Sequence, residues 1–130
     1  MSQEAGNLAE LLEIELLDAG PNPARARLEV RPALCQPFGI VHGGTLTALA
    51  ETLCSWATYQ GVKDDGMTAL GMANQATFLR PISNGTIHAE AQARHRGRTT
   101  WVWDTEITDD DGRACCLVRM TIAVRPMPGR

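Results

Sequence analysis

Apolar and polar residues alternate along several separate stretches of this chain, and each stretch reads as a strand. Ala24, Ala26, Leu28 and Val30 alternate with Arg25, Arg27, Glu29 and Arg31, the pattern of a half-buried strand. Residues 67–79 (MTALGMANQATFL) read as a long strand closed by Arg80-Pro81. In residues 86–96, Ile87, Ala89, Ala91 and Ala93 alternate with Thr86, His88, Glu90, Gln92 and Arg94. Trp101, Trp103, Thr105 and Ile107 share one face of the next strand. After the hairpin signal DDDG at 109–112, Ala114, Cys116, Val118, Met120, Ile122 and Val124 share one side of the last, which Pro126 ends. Upstream, residues 7–12 suit a short helix, residues 14–20 a strand, and Pro21-Asn22-Pro23 a turn, since two prolines fix φ and remove donors.

Residues 38–61 (FGIVHGGTLTALAETLCSWATYQG) break the alternation. They predict a helix from Gly43 or Gly44 to Gln60, with Gly61 as its stop. A helix apolar on most sides must be enclosed. One antiparallel sheet curling around one long central helix satisfies every element, so the fold class is α+β.

Within this helix Thr47, Glu51, Ser55 and Thr58 fall at spacings that form one polar stripe, while Leu46, Leu49, Ala50, Leu53 and Ala57 take the core side. An ordinary solvent face would be rich in lysine and glutamate. This stripe holds a single carboxylate between small hydroxyls, which favours a site. A carboxylate in partly apolar surroundings is poorly hydrated, as a base or nucleophile requires. Gly43-Gly44 at the helix start either allows close packing or bares backbone N–H groups that polarise a carbonyl or hold an anion. The phosphate-loop reading fails because no lysine follows the glycines.

Composition narrows the classes. With 130 residues, 44% apolar and 21% charged, the chain suits one soluble domain over residues 1–130. A net charge of −3 argues against nucleic acid and against anionic membrane surfaces as partners. No apolar run reaches the ~20 residues of a membrane span. The acidic start MSQEAGNLAELLE has no basic, then apolar, export pattern. Four cysteines without a CxxC pair fit a reduced, cytoplasmic protein. His42 could be a catalytic donor, a metal ligand or a packed loop residue. His88 and His95 are remote from it and no HxH or HExxH spacing occurs, so no metal and no cofactor are expected. Gln36 reads as a polar loop residue from spacing alone. Arg94, Arg96 and Arg98, beside Thr99 and Thr100, are either a solvated hairpin or a phosphate site.

Taken together, Gln36, His42-Gly43-Gly44, Ala50-Glu51 and Ser55, followed by FLRP at 78–81 and DGRACCLVRMTIAV at 111–124, resemble the hotdog-fold acyl-CoA thioesterases of the phenylacetate-degradation type. These include the 4-hydroxybenzoyl-CoA and 1,4-dihydroxy-2-naphthoyl-CoA thioesterases. The resemblance spans about residues 36–124. It implies hydrolysis of an acyl-CoA, an aryl one favoured, with Glu51 as nucleophile or general base and the Gly43 N–H on the thioester oxygen. It places Gln36 and His42 where the thioester is bound and oriented, and Ser55 where a hydroxyl assists the carboxylate or water. Arg80, Arg96, Arg98, Thr99 and Thr100 match the region that contacts the CoA nucleotide. It further implies a homo-oligomer, a dimer or a dimer of dimers (a homotetramer), with active sites shared between subunits. That sharing agrees with the eight-residue separation of Gly43 and Glu51, about 12 Å along a helix axis. The competing activities are a hotdog hydratase or dehydratase on acyl thioesters and a non-catalytic acyl-CoA-binding module.

Overall fold

A computed structural model of the chain describes residues 6–128. The start of the acidic N-terminal stretch, residues 1–5, lies outside the described residues. A short helix α1 (Leu8–Leu12) leads into β1 (Glu15–Asp18) and β2 (Ala24–Glu29). The long helix α2 (Gly43–Val62) follows, then β3 (Met67–Phe78), β4 (Thr86–Arg96), β5 (Thr100–Thr108) and β6 (Ala114–Pro126). The six strands make one sheet in the order β1-β2-β4-β5-β6-β3. Every neighbouring pair is antiparallel.

The alternation read from the sequence sorts residues between the two faces of this sheet. Ala24, Ala26 and Leu28 are buried while Arg25, Arg27 and Glu29 are exposed. Trp103 and Ile107 of β5, Met120 and Ile122 of β6, and Ile87 of β4 point into the core. There they join Leu49, Leu53 and Ala57 of α2 in one hydrophobic cluster. Excluding these side chains from water is the main force holding helix to sheet.

Two expectations change. Gly61 does not stop α2, which runs on to Val62 and a short 3-10 turn at Lys63–Asp65 before reversing at Gly66, where φ is +74°. A Cβ on Gly61 would lie 2.8 Å from Trp101 Cη2, so this glycine serves close packing and not termination. Thr58 leaves the polar stripe as well. It is fully buried, donates from Oγ1 to the Cys54 carbonyl at 2.7 Å and accepts from Trp103 Nε1 at 2.8 Å. The sheet encloses the helix at this depth, so the stripe that is open at Thr47 and Glu51 is dry about two turns later.

The twelve-residue strand β3 forms one edge of the sheet. Its apolar side chains are nonetheless open to solvent: Leu70 is 55% exposed, Met72 57% and Phe78 55%, and Leu79 just beyond is 54% exposed. A long apolar edge is what protein chains usually cover.

Candidate active site

Helix α2 begins beneath a loop that is pinned on both sides. The Gln36 N–H donates to the Ile40 carbonyl at 2.7 Å, and the His42 N–H donates to the Leu34 carbonyl at 2.9 Å. Cys35 and Val41 form an isolated antiparallel bridge across the loop. His42 is the N-cap. Its Nδ1 accepts the Gly44 N–H at 2.9 Å and its carbonyl accepts the Thr45 N–H at 2.9 Å. A ring nitrogen that accepts leaves the proton on the other, so Nε2 is the N–H available for donation. The Gly43 N–H has no such bond among the described residues, as expected of a first-turn donor.

These groups share a cavity of about 670 Å³. Gln36, His42, Gly43, Gly44, Thr47 and Arg80 supply its polar features, and Ile40, Val41, Leu46, Phe78 and Leu79 are among its apolar walls. The dipole of a twenty-residue helix points its positive end into this space. Four residues named from sequence, Gln36, His42, Gly43 and Arg80, are thus brought together.

Glu51 does not line this cavity. It sits about two turns further along α2 on the helix's open face, exposed and without an ion pair among the described residues. Ser55 follows one turn later on the same face, half-buried. The Glu51 carboxylate rests on β3: a Cβ on Gly71 would lie 3.0 Å from its Oε2. One turn before Glu51, the Thr47 carbonyl accepts a hydrogen bond from Asn74 Nδ2 of the same strand at 3.1 Å. Neither Gly71 nor Asn74 stood out in the sequence. Only the break that an asparagine makes in an apolar strand could have flagged the second.

Arg96, Arg98, Thr99 and Thr100 lie elsewhere. They form the β4–β5 hairpin, where the Gly97 N–H donates to the Thr100 carbonyl and Arg96 lies over the Trp101 ring at 6.0 Å from its centroid. Trp101 packs on Gly61, at the far end of α2 from Gly43. Those two glycines are eighteen residues apart, about 27 Å along the axis. Within one chain the hairpin and the cavity are therefore not brought together.

The remaining reactive groups are otherwise occupied. Burial pushes the Cys54 thiol up to about 12 and the Cys116 thiol up to about 11, so neither supplies a thiolate at neutral pH. A depression of about 740 Å³ on the outer face of the sheet holds a paired cluster of charges. In it Arg119 Nε meets Asp104 at 2.8 Å and Arg94 Nε meets it at 2.9 Å. The Arg119 guanidinium, with Arg94 behind it, holds the Asp104 carboxyl below the usual carboxylate range. Among the described residues no three His, Cys, Asp or Glu side chains gather as metal ligands, and no helix is long and apolar enough to cross a membrane.

Comparison with known proteins decides the family. The family model described as the thioesterase superfamily matches residues 38–116, which hold the helix, Glu51 and four of the six strands wholly or in part. This chain belongs to the thioesterase superfamily. The proofreading thioesterase EntH of Cronobacter turicensis is 39% identical over 119 residues, covering 92% of this chain and 86% of the relative. A thioesterase of Pseudomonas aeruginosa, crystallised as a glutamine-to-alanine mutant, is 36% identical with a TM-score of 0.89, covering 94% of this chain and 88% of that one. A Staphylococcus aureus protein, solved as a glutamate-to-alanine mutant, is 30% identical with a TM-score of 0.88, covering 93% and 100%. It was also solved, under the description thioesterase enzyme, as a glutamine-to-alanine mutant. The sheet wrapped on one long helix is the hotdog fold, and the chain is a thioester hydrolase.

Proposed function

We propose that this thioesterase hydrolyses acyl-CoA, with an aryl acyl group favoured, and that Glu51 and the Gly43 N–H carry the reaction. The observation that carries the reading is the Gly43 N–H at the start of α2, unpartnered among the described residues and opening into the cavity that Gln36, His42 and Arg80 also line. A thioester carbonyl needs a fixed donor for the charge that develops on its oxygen. In this reading Gly43 supplies that donor, while His42 Nε2–H and Gln36 orient the thioester. Either Glu51 attacks the carbonyl carbon, the C–S bond breaks and water then hydrolyses the Glu51 anhydride, or Glu51 takes a proton from water that attacks the carbon directly. Ser55 assists it, and by either route the net reaction consumes one water and CoA leaves as the thiol. The spacing of residues supports this assignment. The glutamine and glutamate replaced in the two Staphylococcus mutants stand fifteen positions apart in that chain, the separation of Gln36 and Glu51 here.

The proposal includes a homo-oligomer with shared sites. An attacking group must come within ~3–3.5 Å of the carbon, yet Glu51 and Gly43 of one chain are about 12 Å apart along the helix axis. The exposed apolar edge of β3 offers a surface on which a second copy would bring its own helix alongside. The Arg96–Thr100 hairpin would then hold the CoA nucleotide in a site to which more than one chain contributes.

Thiol release from a series of aryl, phenylacetyl and aliphatic CoA thioesters tests the activity and its preference. Glu51→Gln keeps the shape but removes basicity and nucleophilicity, so kcat should fall at least ~10²-fold. Ser55→Ala should lose less. Near-normal turnover by folded Glu51→Gln would overturn the mechanism. Oxygen-18 from labelled water found in the enzyme after a single turnover would assign Glu51 as nucleophile.

A further inference from the structure

Glu51 has no ion-pair partner among the described residues to fix its side chain. What it has is a seat. Its carboxylate lies against the bare backbone of Gly71, where a Cβ would stand 3.0 Å from Oε2, 3.3 Å from Cδ and 3.6 Å from Cγ. The strand departs from regular pairing at this point. Gly71 pairs with Ile122 and Ala73 with Thr121, so Met72 is an extra residue, a bulge. Bulges bend a strand locally and re-aim what it presents, and they concentrate beside active sites. Two residues beyond the bulge, Asn74 Nδ2 holds the Thr47 carbonyl at 3.1 Å, fixing the helix turn that leads to Glu51 against the same strand. Asn74 Oδ1 is buried and has no partner among the described residues, so that amide is kept in place despite an unsatisfied acceptor.

We infer that the centre of β3 positions the Glu51 carboxylate: Gly71 leaves the space in which it lies, and Asn74 sets the distance between helix and strand. This rests on Glu51 being the catalytic carboxylate. Ordinary van der Waals contact begins near 3.4 Å, so a methyl group on residue 71 must push the carboxylate away from the strand. A misplacement of about 1 Å can cost ~10²-fold in rate.

Gly71→Ala should lower kcat by several-fold to about tenfold, because going from 3.0 Å to ordinary contact moves the carboxylate a few tenths of an ångström, and leave KM for acyl-CoA, oligomer size and melting temperature close to wild type. Glu51→Asp draws the carboxylate back by one methylene. In the Gly71→Ala background it should therefore cost less than it does alone, because the two residues share one contact. Full kcat in Gly71→Ala, or losses that simply multiply in the double variant, would overturn the inference. Should Gly71→Ala fail to fold, Asn74→Ala tests the same device through its other half, with kcat expected to fall and KM to hold; unchanged kcat overturns it. Glu51→Gln separates the two ideas. An active Glu51→Gln removes the reading on which the inference rests, whereas an inactive Glu51→Gln beside a fully active Gly71→Ala removes the inference alone.

Discussion

The Phe78 ring lies against Gly43 so closely that a Cβ on residue 43 would stand 2.9 Å from the ring's Cζ. The residue whose N–H is free at the start of α2 is thus also one that cannot carry a side chain without moving a wall of the cavity. Phe78 is 55% exposed and can swing outward, so Gly43→Ala should fold with little loss of melting temperature. If the Gly43 N–H is the oxyanion donor proposed above, the added methyl would crowd the approach of the substrate carbonyl. Turnover should fall by about 10²-fold, the scale of losing one oxyanion donor. Adding Phe78→Ala relieves the clash but not the methyl, so activity should stay low. Recovery in the double variant would show that the ring's displacement, and not the blocked donor, caused the loss.

Thr58 should matter to stability and not to chemistry. Its hydroxyl is the acceptor for the buried Trp103 Nε1 at 2.8 Å. Thr58→Val keeps the shape and leaves the indole N–H without a partner, at a cost of about 1–3 kcal/mol. Chemical denaturation should show that loss while kcat at low temperature stays near wild type. A kcat that falls as far as in Ser55→Ala would restore Thr58 to the polar stripe beside Glu51.

That correction shows what was legible in the chain and what was not. The strands around Leu28, Ile87, Trp103 and Met120 could be read because each buries one face, and burial on one face imposes a period of two. His42 and Gly43 could be grouped because they adjoin one helix start, whereas Gln36 joined them only through the family resemblance. Helical spacing also put Thr47 and Thr58 on one side of α2, correctly as angles. Whether that side is wet depends on where the sheet closes over the helix, and no local pattern carries that. Gly61 failed for a related reason, since a glycine required by the approach of Trp101 looks the same in sequence as one that ends a helix. Gly71, Asn74 and Phe78 were missed because their roles come from the register of β3 against α2, a contact between distant segments.

If Arg96 and Arg98 hold the CoA nucleotide, neutralising either should raise KM for acyl-CoA more than it lowers kcat, the sign of lost ground-state binding. The hairpin's distance from Gly43 along α2 sharpens the control. A short thioester without the nucleotide should be hydrolysed by Arg96→Gln and Arg98→Gln as well as by the wild type. Equal damage to both substrates would mean that these arginines support the fold or the assembly.

The most demanding consequence concerns whose Glu51 serves whose Gly43. Gln36 lines the same cavity as Gly43, whereas Glu51 does not. Gln36→Ala and Glu51→Gln therefore damage separable halves of the machinery. Each variant alone should be nearly inactive. When the two are mixed and allowed to exchange subunits, random two-fold pairing makes about half the dimers mixed, and a shared-site arrangement leaves each of those one intact site, hence about a quarter of wild-type activity. If each chain carried a whole site, every site in the mixture would keep one lesion and no activity would return. Exchange must be verified independently, for instance by following differently tagged chains into one complex. Verified exchange without recovery would defeat the shared-site model and require Glu51 to reach the cavity of its own chain, across a separation of about 12 Å along the helix axis.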